Sequence, residues 1–100
     1  MNLEKISGNI TEFETKLGKC YIYANKSGAT FPDEYRVIYD EITRGIESMN
    51  CAENVRAVMR LRYHYGHKFT DIAQLLGITY QWVYELHKNG TSFLEKHLFL

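Results

Sequence analysis

The side chains that follow Thr79 are suited to contacts with a base pair. Glutamine can pair with adenine through two hydrogen bonds, glutamate can accept from the amino group of cytosine, and an apolar surface can contact a thymine methyl group. Hydroxyl and basic groups suit phosphate oxygens instead. The candidate base-reading residues are Tyr80, Gln81, Tyr84 and Glu85. The candidate contacts to the DNA backbone are Thr79, Lys88, Arg56, Arg60, Arg62 and Lys68.

A basic segment precedes these residues, although the chain as a whole has a formal net charge of zero at pH 7. No aspartate or glutamate occurs between Asn54 and Thr70, the stretch that holds Arg56, Arg60, Arg62 and Lys68. Two interpretations remain open, a solvated helix face and a patch that faces phosphates. Arg62 has a third, an inward position in which it bridges helices through a carboxylate such as Asp71.

Patterns typical of catalysis are missing from the sequence, so we expect no enzyme activity and no cofactor. His64 and His67 are spaced like metal ligands, but no cysteine lies near them, and we expect no metal site. Cys20 and Cys51 are isolated, which favours free thiols in a reducing cytoplasm. No apolar stretch is long enough to span a membrane.

Hydrophobic periodicity predicts an all-α fold of about five helices. A capping-box pattern places the first helix start near Thr11, with its end near residues 25–28. Proline and two acids predict a second start at residues 32–34, and Gly45 is a weak point within that helix. The predicted apolar stripe of the second helix is Tyr35, Ile38, Ile42, Ile46 and Met49.

Three shorter predictions cover the second half. Asn50 is the predicted cap of a third helix that ends at Gly66, with a stripe of Val55, Val58, Met59, Leu61 and Tyr65. A fourth helix is predicted over residues 69–76. A fifth begins at Thr79 and extends to Leu98, with a stripe of Val83, Leu86, Gly90, Leu94 and His97.

The fourth and fifth helices have the spacing of a tightly crossed pair. Ala73 is small where the second helix of the pair must approach, and Gly77 suits a turn that needs a positive φ. Val83 and Leu86 anchor the inner face of the fifth helix and leave its outer face free. The first turns of that helix are then the part that reaches bases.

This segment, Ile72-Ala73-x-x-Leu76-Gly77-Ile78-Thr79-x-x-x-Val83-x-x-Leu86, resembles the helix-turn-helix of bacterial sigma factors, in the region that reads the promoter −35 element. The resemblance extends upstream over Arg56-x-Val58-Met59-x-Leu61-Arg62-Tyr63-x-x-Gly66 and downstream to Gly90-x-x-x-Leu94. It covers roughly residues 53–98 and implies an all-α fold with a C-terminal sigma-like helix-turn-helix.

The start of the fifth helix departs from that family, which usually places arginines and glutamate there. This chain has Tyr80, Gln81, Trp82 and Tyr84, followed by Glu85. We expect that 100 residues cannot hold the other sigma regions. The nearest resemblance is to small phage regulators of the autolysin-regulatory type, which share Val83, Tyr84 and His87. It implies a sequence-specific, DNA-binding transcriptional regulator of phage type.

Two other functions remain open. The aromatic fifth helix and the zero net charge fit a protein-binding module that acts on RNA polymerase or another regulator. A DNA-packaging component similar to terminase small subunits would use the same fold in a ring. Trp82 fits either packing against Phe69 or contact with a base.

The expected organisation is an N-terminal helical region, residues 1–50, and a DNA-binding region, residues 51–100. The expected partners are double-stranded DNA, a second copy of the chain and RNA polymerase, in the cytoplasm and not at a membrane. Four N-terminal tyrosines form either a dimer surface or part of the core. They are Tyr21, Tyr23, Tyr35 and Tyr39.

Overall fold

A computed structural model describes the backbone of residues 2–26 and 28–99, and the side chains of residues 12–26 and 28–99. Within these residues the secondary structure is five α-helices without a strand, which confirms the all-α prediction. The helices are α1 (Asn2–Asn25), α2 (Asp33–Ser48), α3 (Glu53–Tyr63), α4 (Phe69–Leu76) and α5 (Tyr80–Phe99).

Two predicted helix starts are wrong. α1 begins at Asn2, so the Thr11–Glu14 pattern lies inside the helix; the Thr11 side chain lies outside the described residues. α3 has Ala52 at its N-cap with no side-chain cap, so Asn50 does not cap it. A four-residue capping pattern is also compatible with a helix interior or a preceding loop, because the decisive factor is where the backbone turns.

One hydrophobic core takes side chains from all five helices and from both sides of residue 50. The stripe of α2 is buried as predicted from Ile38 to Met49, whereas Tyr35 is half-buried. α1 covers one side of this core, and the N-terminal helices therefore pack on the C-terminal ones. The fully buried side chains include Cys20, Ile42, Ile46, Val58, Met59, Ile72, Val83 and Leu94.

Two residues of the predicted stripes lie at the surface. Tyr65 is 63% exposed, because α3 ends at Tyr63 and the helical period no longer applies beyond it. Tyr63 is buried in its place. His97 is also exposed, one turn beyond the last buried residue of α5, Leu94.

Close helix crossings occur at two glycines. A Cβ atom at Gly45 of α2 would lie 2.7 Å from Cδ1 of Leu94 on α5. A Cβ atom at Gly90 of α5 would lie 2.5 Å from Sδ of Met59 on α3. Gly45, predicted as a weak point, therefore lies where the Leu94 side chain of α5 packs against α2, and its lack of a side chain is what allows this contact.

Two global features complete the fold. No helix in the described part of the chain is both long and apolar enough to cross a membrane. Cys20 and Cys51 are free thiols, and burial raises the pKa of the Cys20 thiol to about 12.

Candidate nucleic-acid interface

A turn of three residues connects α4 to α5. Gly77 has φ +67°, the left-handed conformation that glycine adopts without steric cost. The Ile78 N–H donates to the Ala73 carbonyl at 3.0 Å, which closes the end of α4. Thr79 Oγ1 accepts from the Trp82 N–H at 3.1 Å, so Thr79 caps α5. The predicted bounds of α4, the positive φ of Gly77 and the Thr79 cap are confirmed.

The inner face of α5 is fixed to the body of the protein. Val83 is fully buried and Leu86 is 3% exposed, both within the common core. Ile72 of α4 is fully buried beside them, and Ala73, Leu76 and Ile78 pack against the same core. These contacts hold the first turns of α5 in one orientation and leave its opposite face in solvent.

Every residue assigned to base contacts is exposed. Gln81 and Glu85 are exposed, and Tyr80 and Tyr84 are 51% and 54% exposed. Trp82 is 48% exposed, and it is Tyr80, not Trp82, whose ring meets Phe69 edge-on, at a centroid distance of 6.2 Å. The structure thus brings the four residues together on one free surface, which we call the outer face of α5.

The predicted basic patch divides differently. The Arg62 guanidinium lies between two aromatic rings, 3.7 Å from the centroid of Tyr21 and 4.2 Å from that of Phe69. Its Nη1 donates to the His67 carbonyl at 3.2 Å. Arg62 therefore does bridge helices, but through aromatic rings on α1 and α4 and not through Asp71, which is exposed.

Arg56 is occupied at the end of α2. Its Nη1 donates to the Ile46 carbonyl, and its Nη2 donates to the Met49 carbonyl at 2.8 Å. An ion pair with Glu53 holds Nε at 3.7 Å, and the Arg56 side chain is only 13% exposed. The last carbonyls of a helix lack hydrogen-bond donors within the helix, and Arg56 provides these donors at the end of α2.

Arg60 forms a bidentate ion pair with Glu47 of α2. Nε and Nη2 donate to the two carboxylate oxygens at 2.6 and 2.5 Å. The hydrogen bond from Arg60 lowers the pKa of Glu47 below its ordinary value. Both side chains remain about two-fifths exposed, so the pair lies at the surface and holds α2 to α3.

The cations left at this end of the molecule are Lys68, before α4, and Lys88, on the outer face of α5. Both are exposed, and neither has an ion-pair partner among the side chains described. Asp71 and Glu85 are exposed on the same two helices. The surface around α4 and α5 is therefore close to neutral and not basic.

His87 is central to how α5 is held, a structural role that no pattern in the sequence predicted. Its Nε2 lies 2.7 Å from the phenol oxygen of Tyr63, and its ring meets Phe69 at 4.8 Å between centroids. Burial, with a contribution from the Arg62 charge, lowers the pKa of His87 to about 4. The imidazole is neutral at pH 7 and accepts or donates in a hydrogen bond between α3 and α5.

The N-terminal tyrosines all have partners within the chain. Tyr23 packs against Tyr39 and Phe31, at 5.1 and 5.7 Å between ring centroids, and Phe31 stacks on Tyr35. Tyr39 donates from its hydroxyl to the His64 carbonyl at 2.9 Å, and Tyr21 lies under Arg62. These rings are part of the packing of α1 on α2 and α3.

No cluster of three or more potential metal-ligating side chains exists in the part of the chain with described side chains. Comparisons with known protein families, curated proteins and solved structures found no match to the chain.

Proposed function

We propose that this protein is a sequence-specific DNA-binding transcriptional regulator that acts in the cytoplasm and reads the major groove with α5. The observation that carries the proposal is the contrast between the two faces of α5. Val83 and Leu86 fix one face in the core, while Gln81, Tyr84 and Glu85 lie free on the other. A reading helix needs this combination, because its base contacts must be held in register before DNA binds.

The dimensions of an α-helix also fit. With its side chains a helix is about 10–12 Å across, and the major groove is about 12 Å wide. In the proposed complex Gln81 pairs with adenine and Glu85 accepts from cytosine. Thr79, Lys68 and Lys88 contact phosphates. Arg56, Arg60 and Arg62 have no part in this interface, because their guanidinium groups hold the fold together.

The resemblance of residues 53–98 to the sigma-factor helix-turn-helix supports the same function, since it covers α3, α4 and α5 in the observed order, and the phage regulators share Val83, Tyr84 and His87. One reading helix makes few base contacts, so the proposal includes binding as a two-fold dimer to a palindromic site. In this proposal α4 and α5 form a helix-turn-helix, in which α4 crosses the DNA backbone and α5 enters the groove.

The test is selection of bound duplexes from a random library, followed by titration of the enriched sequence by fluorescence anisotropy. We expect one enriched motif, and we expect its preference over a scrambled duplex to disappear in the Gln81→Ala/Glu85→Ala double variant. The matched control is Ser92→Ala/Lys96→Ala, two exposed residues farther along the same helix, which keeps the preference. Sequence-indifferent binding by the wild-type protein contradicts the proposal.

A second candidate is a protein-binding module that acts on RNA polymerase or another regulator. The observation in its favour is the exposed apolar area formed by Tyr80, Trp82 and Tyr84, together with Leu75, which is 59% exposed. A partner captured equally well by the Gln81→Ala/Glu85→Ala variant and lost by Trp82→Ala supports this function. Aromatic side chains are enriched at protein interfaces and among the residues that carry most of the binding energy.

A further inference from the structure

We infer that the DNA target is rich in A·T pairs and that the tyrosines of α5 read thymine methyl groups. The inference rests on the proposed function and adds to it a class of target sequence. It follows from the side chains present on the outer face of α5. It follows also from the nearby arginines, whose guanidinium groups are held in contacts within the fold.

Guanine readers are absent from the first two turns of α5. Guanine is read chiefly by arginine or lysine, which donate two hydrogen bonds to its O6 and N7. Between Tyr80 and His87 the sequence has neither residue, and Lys88, which follows on the same face, is assigned to phosphate. The nearest arginines, Arg60 and Arg62, are held by Glu47 and by two aromatic rings. Gln81, by contrast, has the amide that pairs with adenine, so the central position of the face favours an A·T pair.

The tyrosines flank Gln81 on one side. At about 100° per residue, Tyr80 and Tyr84 lie next to each other along the helix, Gln81 and Lys88 point directly away from the buried anchors, and Trp82 lies on the other flank. Tyr80 is braced edge-on against Phe69, which limits the rotation of its ring before binding. A braced, half-exposed ring beside an adenine-reading amide is placed to cover the methyl group of a thymine.

The charge of the surface makes base contacts decisive. The charges of Lys68 and Lys88 are balanced by those of Asp71 and Glu85. The electrostatic attraction to phosphates, which does not depend on DNA sequence, is therefore weak. Glu85 adds a penalty wherever no amino group faces it, because a carboxylate then lies unpaired in the negative groove. A protein with this surface depends on apolar contact and side-chain amide pairing for its affinity, and apart from the one cytosine proposed to face Glu85, A·T pairs supply both partners.

The test replaces thymine by uracil at single positions in the enriched duplex, a change that removes only the methyl group and keeps the base pair. Removal of a methyl group that a tyrosine ring covers should weaken binding about fourfold. In the Tyr84→Ala variant, at least one of these uracil effects should vanish. The matched control is Phe93→Ala, an aromatic residue 45% exposed on the same helix beyond the reading turns, which keeps every uracil effect.

The outcomes are distinct. An A·T-rich motif with uracil effects that depend on Tyr80 or Tyr84 supports the inference. A G·C-rich motif, or an A·T-rich one that tolerates uracil at all positions, overturns the inference and leaves the proposed function standing. The absence of any enriched sequence overturns the proposed function, and this inference with it.

Discussion

The phenol oxygen of Tyr63 lies 2.7 Å from Nε2 of His87, and this hydrogen bond joins the end of α3 to the middle of α5. Both residues are well covered: Tyr63 is 4% exposed, and Phe69 closes over the imidazole. The bond fixes α5 about two turns beyond its first residue, Tyr80. Burial of His87 keeps its imidazole neutral in the folded protein at pH 7, and this has a measurable consequence.

Acid should destabilise the protein well before most carboxylates titrate. Burial lowers the pKa of His87 from 6.5 to about 4, so between these values the unfolded chain binds a proton that the folded one does not. Stability therefore falls as the pH drops through this window, by about 2 kcal/mol between pH 7.5 and pH 5. Urea denaturation followed by circular dichroism at several pH values measures this change.

The control for this effect is a pair of histidine variants. His87→Gln keeps a polar side chain without the titration, so it should be less stable at pH 7.5 and lose less stability at pH 5. Some slope should remain, because burial also lowers the pKa of His64. Exposed His97→Gln should match the wild type. A wild-type stability that is constant between pH 7.5 and pH 5 contradicts the assignment.

Arg62 should not tolerate lysine. The planar guanidinium stacks between Tyr21 and Phe69, and a lysine ammonium cannot fill that space or reach the His67 carbonyl in the same geometry. We expect Arg62→Lys to lower the free energy of unfolding by about 1 to 2 kcal/mol. The exposed Arg44→Lys is the control, with an expected change within about 0.5 kcal/mol. Equal stability of the two variants in urea denaturation argues against a packing role for Arg62.

Alanine should have opposite effects at two helical glycines. At Gly90 the new Cβ would meet fully buried Met59, and we expect a loss of about 1 to 3 kcal/mol despite the better helix propensity of alanine. At Gly18 of α1 nothing lies within 4 Å, so Gly18→Ala should gain about 0.5 to 1 kcal/mol. Thermal unfolding of both variants measures the difference, and stabilisation by Gly90→Ala shows that the α3–α5 crossing is looser than described.

The affinity for DNA should depend only weakly on salt. Each phosphate neutralised contributes about −0.9 to the slope of log affinity against log salt concentration. If Lys68 and Lys88 are the cations that contact phosphates, the slope is about −2 per protomer. A flank in which Arg56, Arg60 and Arg62 also took part would give about −4 to −5. Anisotropy titrations at four salt concentrations distinguish the two values.

Two variants make the salt experiment specific. Lys88→Ala should reduce the magnitude of the slope by about one, whereas Arg60→Ala should leave it unchanged, because Arg60 is paired with Glu47. A smaller slope in Arg60→Ala, with the fold intact by circular dichroism, would show that Arg60 contacts DNA phosphates.

The sequence was sufficient for the turn between α4 and α5, where structure is decided locally. The bounds of α4, the positive φ of Gly77 and the Thr79 cap depend on residues within one or two turns of each other, and all were predictable. The anchors Val83 and Leu86 followed from helical period alone. The Tyr65 position was not predictable in the same way, because α3 stops at Tyr63 and nothing in the period marks where a helix ends.

The basic residues show the opposite limit. Three arginines between residues 54 and 70 have the composition of a phosphate-binding patch, yet their partners are the carbonyl groups at the end of α2, a carboxylate on α2 and rings on α1 and α4. These partners are distant in sequence or depend on how the helices dock. The meaning of Gly45 and Gly90 was hidden for the same reason, since a close crossing is a property of two helices.

The chain's single tryptophan, Trp82, lies half-exposed on the surface proposed to meet DNA. Its emission therefore arises from one known place, beside the residues proposed to contact bases and away from the packed interior. Association with a duplex or a protein partner at α5 should change that emission without any attached label, while the eight tyrosines report on the remainder of the molecule. The protein thus has a built-in optical reporter of whether this face is occupied.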